Sequence, residues 1–519
     1  MPQPEPAIAL RGITKRFGPV WANQGIDLEI TDGEVHALVG ENGAGKSTLM
    51  KILAGLYLPD EGEILVRGRR RRIDGPRRAI GLGIGMVHQH FMLVGRFTVT
   101  ENIILGAEPR RDRLLVDYRA AAARVRELCR QSGFDLDPGA RVLDLSVGQQ
   151  QRVEILKVLY RGADILVLDE PTAVLAPQEV RELLANLRAL RDQGKTIIFI
   201  AHKLDEVLAV ADRVTVLRRG RVVGTVAAAD TTPERLAELM VGRHVLAVRR
   251  RGERVQGEPC LVVRGLGVPG LGGRRALEDV SFSVRAGEIY GVAGVEGNGQ
   301  AELVEALVGL RPAATGAISI GGQTVQAPAR PGAPRARFSV RRTRSLGVAY
   351  IPSDRHRQGL VLAMRAWENL ILGRHRRKEY RRGPFFWSRM ILPLAQAAVR
   401  EFDVRLASLR DPAGSLSGGN QQKLILAREL GSGPRVVVAA QPTRGLDVGA
   451  TEFVENKLLE ARAAGQAVLL VSADLDQLLA LADRIGVLRA GRLVAEFTAD
   501  ASTREEIGQW MLGGGDRGR

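Results

Sequence analysis

The segment Gly40-Glu41-Asn42-Gly43-Ala44-Gly45-Lys46-Ser47-Thr48 decides the fold of this chain. It matches the pattern G-x-x-x-x-G-K-[ST], whose glycines let the backbone wrap closely around phosphate groups and aim consecutive N–H groups at them. The apolar run Val35–Val39 predicts a strand before this phosphate loop, and a helix is predicted over Lys46–Leu56. Lys46 would then reach the outer phosphates of a nucleotide, and the Ser47 hydroxyl would bind Mg²⁺.

A pair of carboxylates further along the chain extends the pattern. The apolar strand Ile165–Leu168 runs directly into Asp169-Glu170. Such a strand carries its terminal carboxylates to the phosphate edge of a sheet, where Asp169 is expected to hold Mg²⁺, directly or through water. Glu170 is the candidate general base that polarises the attacking water. An ordinary exposed acidic pair is the alternative, and the phosphate loop upstream makes it the weaker one.

Strand and helix patterns alternate around this point. Buried strands are predicted over Thr196–Ile200 and Arg213–Leu217, and a helix is predicted over Pro177–Gln193. Alternation of this kind indicates an α/β fold with a mainly parallel sheet.

The chain repeats itself. The segment Leu145–Arg152, LSVGQQQR, recurs 271 residues later as Leu416–Lys423, LSGGNQQK. These two stretches are the signature segments of the first and second copy. The stretch Ile165–Thr172, ILVLDEPT, corresponds at the same offset of 271 to Val436–Thr443, VVVAAQPT. The sequence therefore predicts two homologous units.

The two copies differ in length. Gly40 and Gly294 are separated by 254 residues, whereas the signature segments are separated by 271, so the second copy has about 17 additional residues. The Pro- and Arg-rich stretch Ala327–Arg344 is the expected place for them, as a solvated loop. The predicted parts are a first unit over 5–245, a charged linker over 246–257 and a second unit over 258–515.

Leu-Ser-x-Gly-Gln/Asn-Gln, placed after a phosphate loop and shortly before an Asp-Glu strand, resembles the ATP-binding-cassette family over nearly the whole chain, twice. The resemblance implies an α/β protein with two tandem P-loop ATP-binding-cassette domains, each with a mixed, mainly parallel sheet core and an α-helical subdomain. It also implies an ATPase that uses ATP and Mg²⁺. In that family each ATP lies between the phosphate loop of one cassette and the Leu-Ser-Gly-Gly segment of the other.

The resemblance implies further roles for residues of the first unit. Phe17 matches the aromatic residue that stacks on adenine, with Trp21 as a weaker candidate. Gln89 matches the glutamine that senses the γ-phosphate and the metal and couples to the transmembrane partner, and His202 matches the switch histidine that contacts the γ-phosphate. The implied catalytic residues are Glu170, His202 and Gln89; the metal ligands are Ser47, Gln89 and Asp169; the nucleotide contacts are Phe17, Gly40, Glu41, Asn42, Gly43, Ala44, Gly45, Lys46, Ser47 and Thr48.

The second unit has lost the charged members of this set. Its loop reads Gly294-Val295-Glu296-Gly297-Asn298-Gly299-Gln300-Ala301-Glu302, and the positions of Lys46, Ser47, Asp169, Glu170 and His202 are taken by Gln300, Ala301, Ala440, Gln441 and Ala473. Gln89 falls opposite Ser353, and no aromatic residue clearly replaces Phe17. Positioning and electrostatics supply nearly all of the rate in phosphoryl transfer, so negligible hydrolysis is expected here. Weak nucleotide binding through backbone N–H groups stays open.

The signature segments show the opposite asymmetry. The second unit keeps the sequence Leu-Ser-Gly-Gly-Asn and Asp447, which in the family face the opposite phosphate loop, whereas the first has Val147 for a glycine and Ala176 at the Asp447 position. One composite site is therefore expected to be complete and the other impaired on both sides. The complete site would combine Lys46, Asp169, Glu170 and His202 with Ser417, Gly418, Gly419 and Asp447. Two independently decayed enzymes are the weaker alternative.

Composition limits the partners. The net charge is +17, and arginines cluster in Arg69–Arg72, Arg249–Arg251 and Arg374–Arg382, but aromatic residues are only 4% and are not interleaved with these runs. Stacking on single-stranded nucleic acid is therefore disfavoured, and membrane-proximal charge or simple composition is the better interpretation. Cys129 and Cys260 match no metal-ligand spacing and indicate a reduced compartment. The sequence shows neither an apolar run of about 18 residues nor a secretory signal.

Among cassette proteins, fused tandem cassettes with a degenerate second site resemble the importers of monosaccharides and nucleosides. The segment Met86–Val94, MVHQHFMLV, favours the nucleoside branch, which works with lipoprotein substrate-binding proteins. The helical subdomains that dock on permeases are matched by the segment Glu101-Asn102-Ile103 and by its counterpart in the second copy, Glu368-Asn369-Leu370. The expected partners are integral membrane permease subunits and, indirectly, an extracytoplasmic substrate-binding protein, with one copy of this chain at the cytoplasmic face of the cell membrane.

The competing hypothesis is a soluble tandem-cassette ATPase that acts on the ribosome or on nucleic acid. The high positive charge gives this hypothesis some weight. Such factors usually keep both catalytic glutamates and join their cassettes by a long charged helix, whereas here one position is Gln441 and the linker is short. The importer is therefore favoured. The transported molecule is not encoded in this chain, because its contacts lie in other subunits.

Overall fold

The computed structural model describes residues 6–18, 20–88, 91–111, 115–172, 175, 177–201, 203–242, 257–270, 275–295, 297–326, 339–383 and 385–513. The chain divides into two compact units, residues Met1–Val245 with Asp447–Gly449 and residues Leu246–Leu446 with Ala450–Arg519. Each unit combines a four-stranded antiparallel sheet, a six-stranded mainly parallel sheet and a set of helices. The predicted α/β fold with two equivalent units is confirmed.

The first unit has its phosphate loop at the carboxyl end of a central strand. Its antiparallel sheet has the order Val20–Thr31, Pro6–Phe17, Glu61–Val66 and Arg69–Arg71. Its six-stranded sheet has the order Arg221–Ala227, Arg213–Arg218, Val35–Gly40, Thr196–Ile200, Ile165–Asp169 and Ile84–Val87. The last five of these run parallel, and Arg221–Ala227 is an antiparallel edge strand. A short ribbon pairs Arg110–Arg111 with Leu115–Val116.

The helices of the first unit cover its sheets. They span Lys46–Leu53, Pro76–Gly81, Val99–Ile104, Tyr118–Ser132, Val147–Tyr160, Pro177–Asp192, Leu204–Val210 and Pro233–Val241. The helix predicted to reach Leu56 ends at Leu53, because Gly55 turns the chain with φ 73°. Three strands of the parallel sheet, including Ile165–Asp169, are buried along their whole length, which is why they read as continuous apolar runs.

The second unit repeats this plan. Its antiparallel sheet has the order Arg275–Arg285, Pro259–Pro269, Thr315–Ile320 and Gln323–Gln326, and its mainly parallel sheet has the order Val348–Ile351, Val436–Ala440, Ala467–Ser472, Ile289–Ala293, Arg484–Arg489 and Arg492–Thr498. A ribbon pairs Arg381–Arg382 with Phe385–Phe386. The helices span Gln300–Val308, Val340–Ser345, Ala366–Ile371, Ser388–Glu401, Gly418–Leu430, Val448–Ala463, Leu475–Leu481 and Arg504–Leu512, with a π turn over Arg355–Gly359.

The additional residues of the second copy are distributed over several places, so the single loop expected from the sequence is wrong. The starts of equivalent helices give the offsets: 264 for Pro76 and Val340, 267 for Val99 and Ala366, and 271 for Val147 and Gly418. The offset thus grows from 254 in three steps along the chain. The end of the stretch expected to be a loop forms the helix Val340–Ser345, whose start is capped by the Ser339 side chain. Residues 327–338 lie outside the described ranges.

Each unit has two apolar cores, one on either side of its parallel sheet. None of the described helices combines the length and the apolar character that a membrane span requires. The linker predicted over 246–257 lies outside the described residues except for Gly257, so its bounds stay a prediction.

Candidate functional site

The phosphate loop joins the strand Val35–Gly40 to the helix Lys46–Leu53. Gly45 caps that helix with φ 103°, and a Cβ at this position would collide with the carbonyl oxygen of Ala22. A left-handed backbone and a close approach therefore both require glycine. The second loop repeats this feature at Gly299, with φ 105°. The shape of the loop thus follows from its glycines in both units.

Lys46 points back into the loop. Its Nζ donates hydrogen bonds to the carbonyl oxygens of Gly40 and Glu41, at 2.7 and 3.0 Å, and the residue is only 5% exposed. Burial lowers the pKa of Lys46, and the nearby carboxylates of Glu170 and Asp169 oppose this effect. The ammonium group therefore donates to backbone carbonyl oxygens. These are weak hydrogen-bond partners that phosphate oxygens can replace.

Ser47 and Asp169 meet at the edge of the parallel sheet. The Ser47 Oγ donates to Asp169 Oδ1 at 3.2 Å, and Asp169 is 5% exposed at the end of its strand. Burial raises the pKa of Asp169, and the charge of Glu170 raises it further. A hydroxyl beside a buried carboxylate suits Mg²⁺, which takes one or two protein oxygens and completes its shell with waters and phosphate oxygens. Across the described residues, no group of three or more His, Cys, Asp and Glu side chains forms a separate metal cluster.

Glu170 stands in a left-handed turn. Its φ is 52°, and its N–H donates to the carbonyl oxygen of Ile200 at 3.0 Å. Its counterpart Gln441 has φ 44°, and the N–H of Gln441 donates to Val471 at 2.8 Å. A left-handed non-glycine residue costs on the order of 1 kcal/mol, and both units keep it. The backbone that presents this side chain is therefore the same whether the side chain is a carboxylate or an amide.

Gln89 and His202, and also Ala176, lie outside the described residues, so their implied roles stay predictions. The strand register supports the alignment of one of them, Gln89, with the second unit. Ile84 pairs with Ile165 in the first unit, as Val348 pairs with Val436 in the second. Counting onward from these equivalent strands places Gln89 opposite Ser353, as the sequence comparison does.

Two aromatic side chains stand at the hairpin beside the loop. Phe17 is 43% exposed and contacts Tyr57 edge-on, with ring centroids 5.3 Å apart. Trp21 is 48% exposed, and the Arg16 guanidinium lies over its ring at 5.2 Å. The hairpin is attached to the loop by Asn23, whose Nδ2 donates to the Gly45 carbonyl at 3.2 Å. Both rings are thus accessible close to the phosphate loop.

Neutral side chains make the hydrogen bonds within the phosphate loop of the second unit. Gln300 Nε2 and Asn298 Nδ2 both donate to the Val295 carbonyl, at 2.9 and 3.0 Å, and Asn298 Oδ1 accepts from the Ala490 N–H at 2.8 Å. Val295 is the counterpart of Glu41. The Gln300 amide therefore takes over a hydrogen bond that Lys46 makes in the first unit, and the loop keeps its internal bonding while it loses its cation.

The carboxylate of Glu179 is bound at the N-terminus of the signature helix of the first unit. Ser146 caps the helix Val147–Tyr160, and Glu179 Oε1 accepts hydrogen bonds from the Ser146 hydroxyl and from the Gly148 N–H, both at 3.1 Å. A helix N-terminus is a favourable place for an anion, so Glu179 takes the position that a phosphate would need. At the same offset of 271 the second unit has Ala450. Glu179 is not among the residues predicted from the sequence, although the difference between Glu179 and Ala450 is a visible signal.

Arg355 connects the signature helix of the second unit to the segment that leads to Asp447. Its Nη1 donates to the Arg444 carbonyl at 3.2 Å, and its Nη2 donates to the Gly445 carbonyl at 3.4 Å. A Cβ on Gly418 would lie 3.1 Å from the same Nη2. Ser417 caps this helix, accepting from the Asn420 N–H at 3.5 Å. Arg355 is not among the residues predicted from the sequence, because its contacts form only when the π turn folds back onto the 444–445 segment.

A glycine loop around a buried lysine, a serine paired with a strand-end aspartate and a glutamate in the next turn define a nucleotide-hydrolysing α/β cassette. The described residues contain the cassette backbone twice and its charged residues once.

Comparison with known proteins agrees with this class. The model of the ABC transporter family matches residues 23–173 and 277–444. The nucleoside import ATP-binding protein NupA of Lactococcus lactis subsp. cremoris is 47% identical, over 98% of this chain and 99% of the relative. The guanosine import ATP-binding protein NupO of Bacillus subtilis is 46% identical over 98% of both chains, and the glucose import ATP-binding protein TsgD13 of Haloferax volcanii is 46% identical over 99% and 96%. The chain belongs to the ABC transporter family and is a tandem ATP-binding-cassette ATPase, which confirms the resemblance.

We expect Asp169→Asn to raise the thermal midpoint of the nucleotide-free protein while Mg²⁺-dependent hydrolysis is lost. The pKa of Asp169 is raised in the fold, so its ionised form destabilises the protein above that pKa, and a neutral amide removes the penalty. The gain should shrink as the pH falls and the carboxylate protonates. Thermal unfolding without nucleotide, at neutral and mildly acidic pH, measures both effects.

Asp164→Asn is the matched control. A hydrogen bond from Lys195 lowers the pKa of Asp164, so its ionised form stabilises the fold at neutral pH and the substitution should lower the midpoint slightly. A lower midpoint for Asp169→Asn at neutral pH would contradict the picture of a strained buried carboxylate.

Proposed function

We propose that this chain is the ATP-hydrolysing subunit of a membrane importer for nucleosides, with a monosaccharide as the alternative cargo. The observation that carries the proposal is the asymmetry of the two units, in which Lys46, Ser47, Asp169 and Glu170 are gathered at one loop and replaced at the other. Full-length identity to relatives named for nucleoside and guanosine import supports the nucleoside branch, and the relative named for glucose import keeps the sugar alternative.

We further propose that the hydrolytic site is composite. The phosphate loop, Asp169, Glu170 and His202 of the first unit would be completed by Ser417, Gly418, Gly419 and Asp447 of the second, as the family resemblance implies. Two observations within the units support this. Glu179 occupies the signature helix of the first unit, whereas the corresponding residue of the second is Ala450. Arg355 donates hydrogen bonds to the 444–445 segment, which leads to Asp447, one of the residues that the second unit would contribute.

The chemistry of the site assigns a part to each residue. Lys46 exchanges its two carbonyl partners for phosphate oxygens, and Glu170 accepts a proton from the attacking water. Mg²⁺, held by Ser47, Asp169 and Gln89, would neutralise charge that develops on the phosphates. Backbone N–H groups of the loop and the start of the helix Lys46–Leu53 orient those phosphates. ATP binding would close the cassettes, and hydrolysis would let them reopen and move the permease helices.

The second loop would not hydrolyse ATP. Gln300 and Asn298 satisfy the Val295 carbonyl without positive charge, and the position of the metal-binding aspartate is Ala440. Restoring one residue leaves the others missing. Gln300→Lys alone would therefore give no turnover at this loop.

The proposed partners are integral membrane permease subunits, with an extracytoplasmic substrate-binding protein acting through them. One copy of this chain, bound at the cytoplasmic face of the cell membrane, would supply both cassettes. The competing function, a soluble ATPase on the ribosome or on nucleic acid, rests on the net charge of +17. Purification in detergent distinguishes the two: permease subunits should accompany the importer, and RNA or ribosomes should accompany the alternative.

Glu170→Gln should lower ATP turnover at least about 100-fold, because the general base is lost, and should leave ATP binding intact. Phosphate release measures turnover, and a nucleotide-dependent shift in thermal midpoint measures binding. The matched variant Gln441→Glu restores a carboxylate on the same backbone turn of the second unit and should add no turnover. Normal hydrolysis by Glu170→Gln would show that the base is assigned wrongly.

Ser417→Ala and Ser146→Ala remove the same helix cap and should cost similar stability, about 1 kcal/mol each. Their effects on hydrolysis should differ. Loss of a hydroxyl hydrogen bond to phosphate should reduce kcat/KM about tenfold for Ser417→Ala, whereas Ser146→Ala should stay within about twofold because its hydroxyl is bound to Glu179. Equal losses in the two variants would argue against a single hydrolytic composite site.

Arg355→Met should lower kcat with little change in KM for ATP. The substitution loosens Gly418 and the 444–445 segment but leaves the phosphate loop of the first unit unaltered. Arg410→Met, at an exposed position of the same unit, is the control and should not change kcat. A general loss of folding, detected as a lower thermal midpoint with kcat and KM both changed, would instead indicate a merely structural role.

A further inference from the structure

A hairpin that precedes the helix Ser388–Glu401 of the second unit exposes aromatic side chains. Its strands are Arg381–Arg382 and Phe385–Phe386, and we call it the aromatic hairpin. Phe385 is 76% exposed, and Phe386 is 53% exposed. Because successive side chains of a strand point to opposite faces, each face of the aromatic hairpin carries a solvent-exposed phenyl ring.

The exposed apolar surface continues along the helix that follows. Trp387, directly before the helix, and Met390 and Leu394 within it are all exposed. Their spacing of three and four residues places them along one side of the helix. Contacts with the core are made by a different row of the same helix, the buried residues Ile391, Ala395 and Val399. The helix therefore has one apolar row in the core and a second apolar row in solvent.

Positive charge accompanies these apolar side chains. Residues 374–389 contain seven Lys or Arg and one acidic residue, Glu379. Glu379 Oε1 accepts a hydrogen bond from Arg377 Nη1 at 3.3 Å, and a single carboxylate cannot balance the remaining cations. The exposed cations of this segment are Arg376, Arg377, Lys378, Arg381, Arg382 and Arg389. The surface thus combines exposed aromatic rings with an excess of positive charge.

The first unit has the equivalent hairpin without these features. Its strands Arg110–Arg111 and Leu115–Val116 pair in the same register and also lead directly into a helix. The pairings and the helix starts match Leu115, Val116, Asp117, Ala120 and Arg124, in that order, with Phe385, Phe386, Trp387, Met390 and Leu394. The second unit therefore has apolar side chains where the first has a carboxylate and a guanidinium, and larger apolar side chains at the other three positions. Residues 107–119, which correspond to 374–389, contain four Arg and three acidic residues, so their charge is nearly balanced.

Trp387 stands where a helix cap would stabilise the fold. In the first unit Asp117 caps the helix Tyr118–Ser132, and its Oδ1 accepts a hydrogen bond from the Ala120 N–H at 2.9 Å. Trp387 holds the same position without a side-chain cap, because an indole has no acceptor for a backbone N–H. An exposed tryptophan at this place lowers the stability of the helix start. Its presence is therefore better explained by a partner outside the chain than by the fold.

We propose that the aromatic hairpin and the start of the helix Ser388–Glu401 bind the surface of an anionic lipid bilayer. Tryptophan and phenylalanine rings are favoured at the boundary between headgroups and acyl chains, and the arginines would attract anionic headgroups. Phenyl rings on both faces of a ribbon suit a fluid layer that surrounds them, since a rigid protein surface would cover one face only. This contact needs no permease and goes beyond the proposed function.

Flotation of the purified full chain with vesicles tests the proposal. Vesicles of phosphatidylcholine alone are compared with vesicles that contain an equal amount of phosphatidylglycerol, and we expect at least about tenfold more binding to the anionic ones. Replacing Phe385 and Phe386 together by Ser leaves the net charge unchanged and should reduce this binding at least about fivefold. The matched double variant, Leu115→Ser with Val116→Ser, should stay within about twofold of the unaltered chain. Equal losses in both double variants, or a loss in neither, would overturn the proposal.

Trp387→Asp separates membrane binding from folding. The substitution introduces the capping residue of the first unit, so it should raise the thermal midpoint while it lowers vesicle binding. Arg264→Glu makes a larger change of charge at an exposed strand position outside the aromatic hairpin, and it should affect vesicle binding less. If Trp387→Asp binds like the unaltered chain, or if Arg264→Glu loses as much, the attraction comes from the net charge alone and the proposal is wrong.

Photo-crosslinking identifies what covers the aromatic hairpin in cell membranes. A photoreactive residue replaces Phe385 in the full chain, and mass spectrometry identifies the adduct after irradiation. We expect lipid adducts. An adduct with a permease peptide, or with any other protein, would show that a protein covers this surface and would contradict the proposal. Vesicle binding is measured without permease, so the importer function can hold or fail independently of this result.

Discussion

The buried group of opposite charges at the first phosphate loop is the interaction on which the proposed chemistry of this protein depends. Lys46 is almost fully buried, and its pKa is lowered by that burial; Asp169 is equally buried, and its pKa is raised. Both ionised groups are therefore at a disadvantage before nucleotide binds. Under the proposed function, a triphosphate with its metal would supply the partners that each lacks, since Lys46 donates to carbonyl oxygens and Asp169 accepts from a hydroxyl. Part of the affinity for the nucleotide would then come from completing the solvation of these two buried groups.

The second unit shows what remains when this chemistry is removed. Gly299 keeps the left-handed cap of Gly45, and Gln441 keeps the left-handed turn of Glu170. Gln300 replaces the Lys46 hydrogen bond with a neutral amide. The backbone of a cassette therefore depends on glycines, buried strands and main-chain hydrogen bonds, and its charged residues are not needed for the fold. This separation would allow the second unit to lose hydrolysis, as we propose, and still keep the cassette fold.

Specialisation reaches beyond the lost catalytic residues. Glu179 fills the signature helix of the first unit with an internal anion, and Arg355 braces the corresponding helix of the second. Arg344 and Glu429, which form an ion pair, take the positions of Ile80 and Val158, two apolar side chains that line a cavity of the first unit. Glu179, Arg344 and Glu429 each place a charge where the homologous unit has an apolar side chain. These differences agree with the proposed asymmetry of the two units.

The sequence alone determined the fold and the placement of most residues of the candidate site at the first phosphate loop, because glycine positions, continuous apolar strands and a strand-end carboxylate are local features. It also placed Lys46, Ser47, Asp169 and Glu170 correctly on one loop and one strand end. It did not determine where the second copy is longer, since a Pro- and Arg-rich run resembles a loop whether or not part of it, such as Val340–Ser345, packs as a helix. The contacts of Glu179, Arg355 and Arg344 were decided by the tertiary structure, because each depends on groups that are distant in sequence and meet only after the helices have packed.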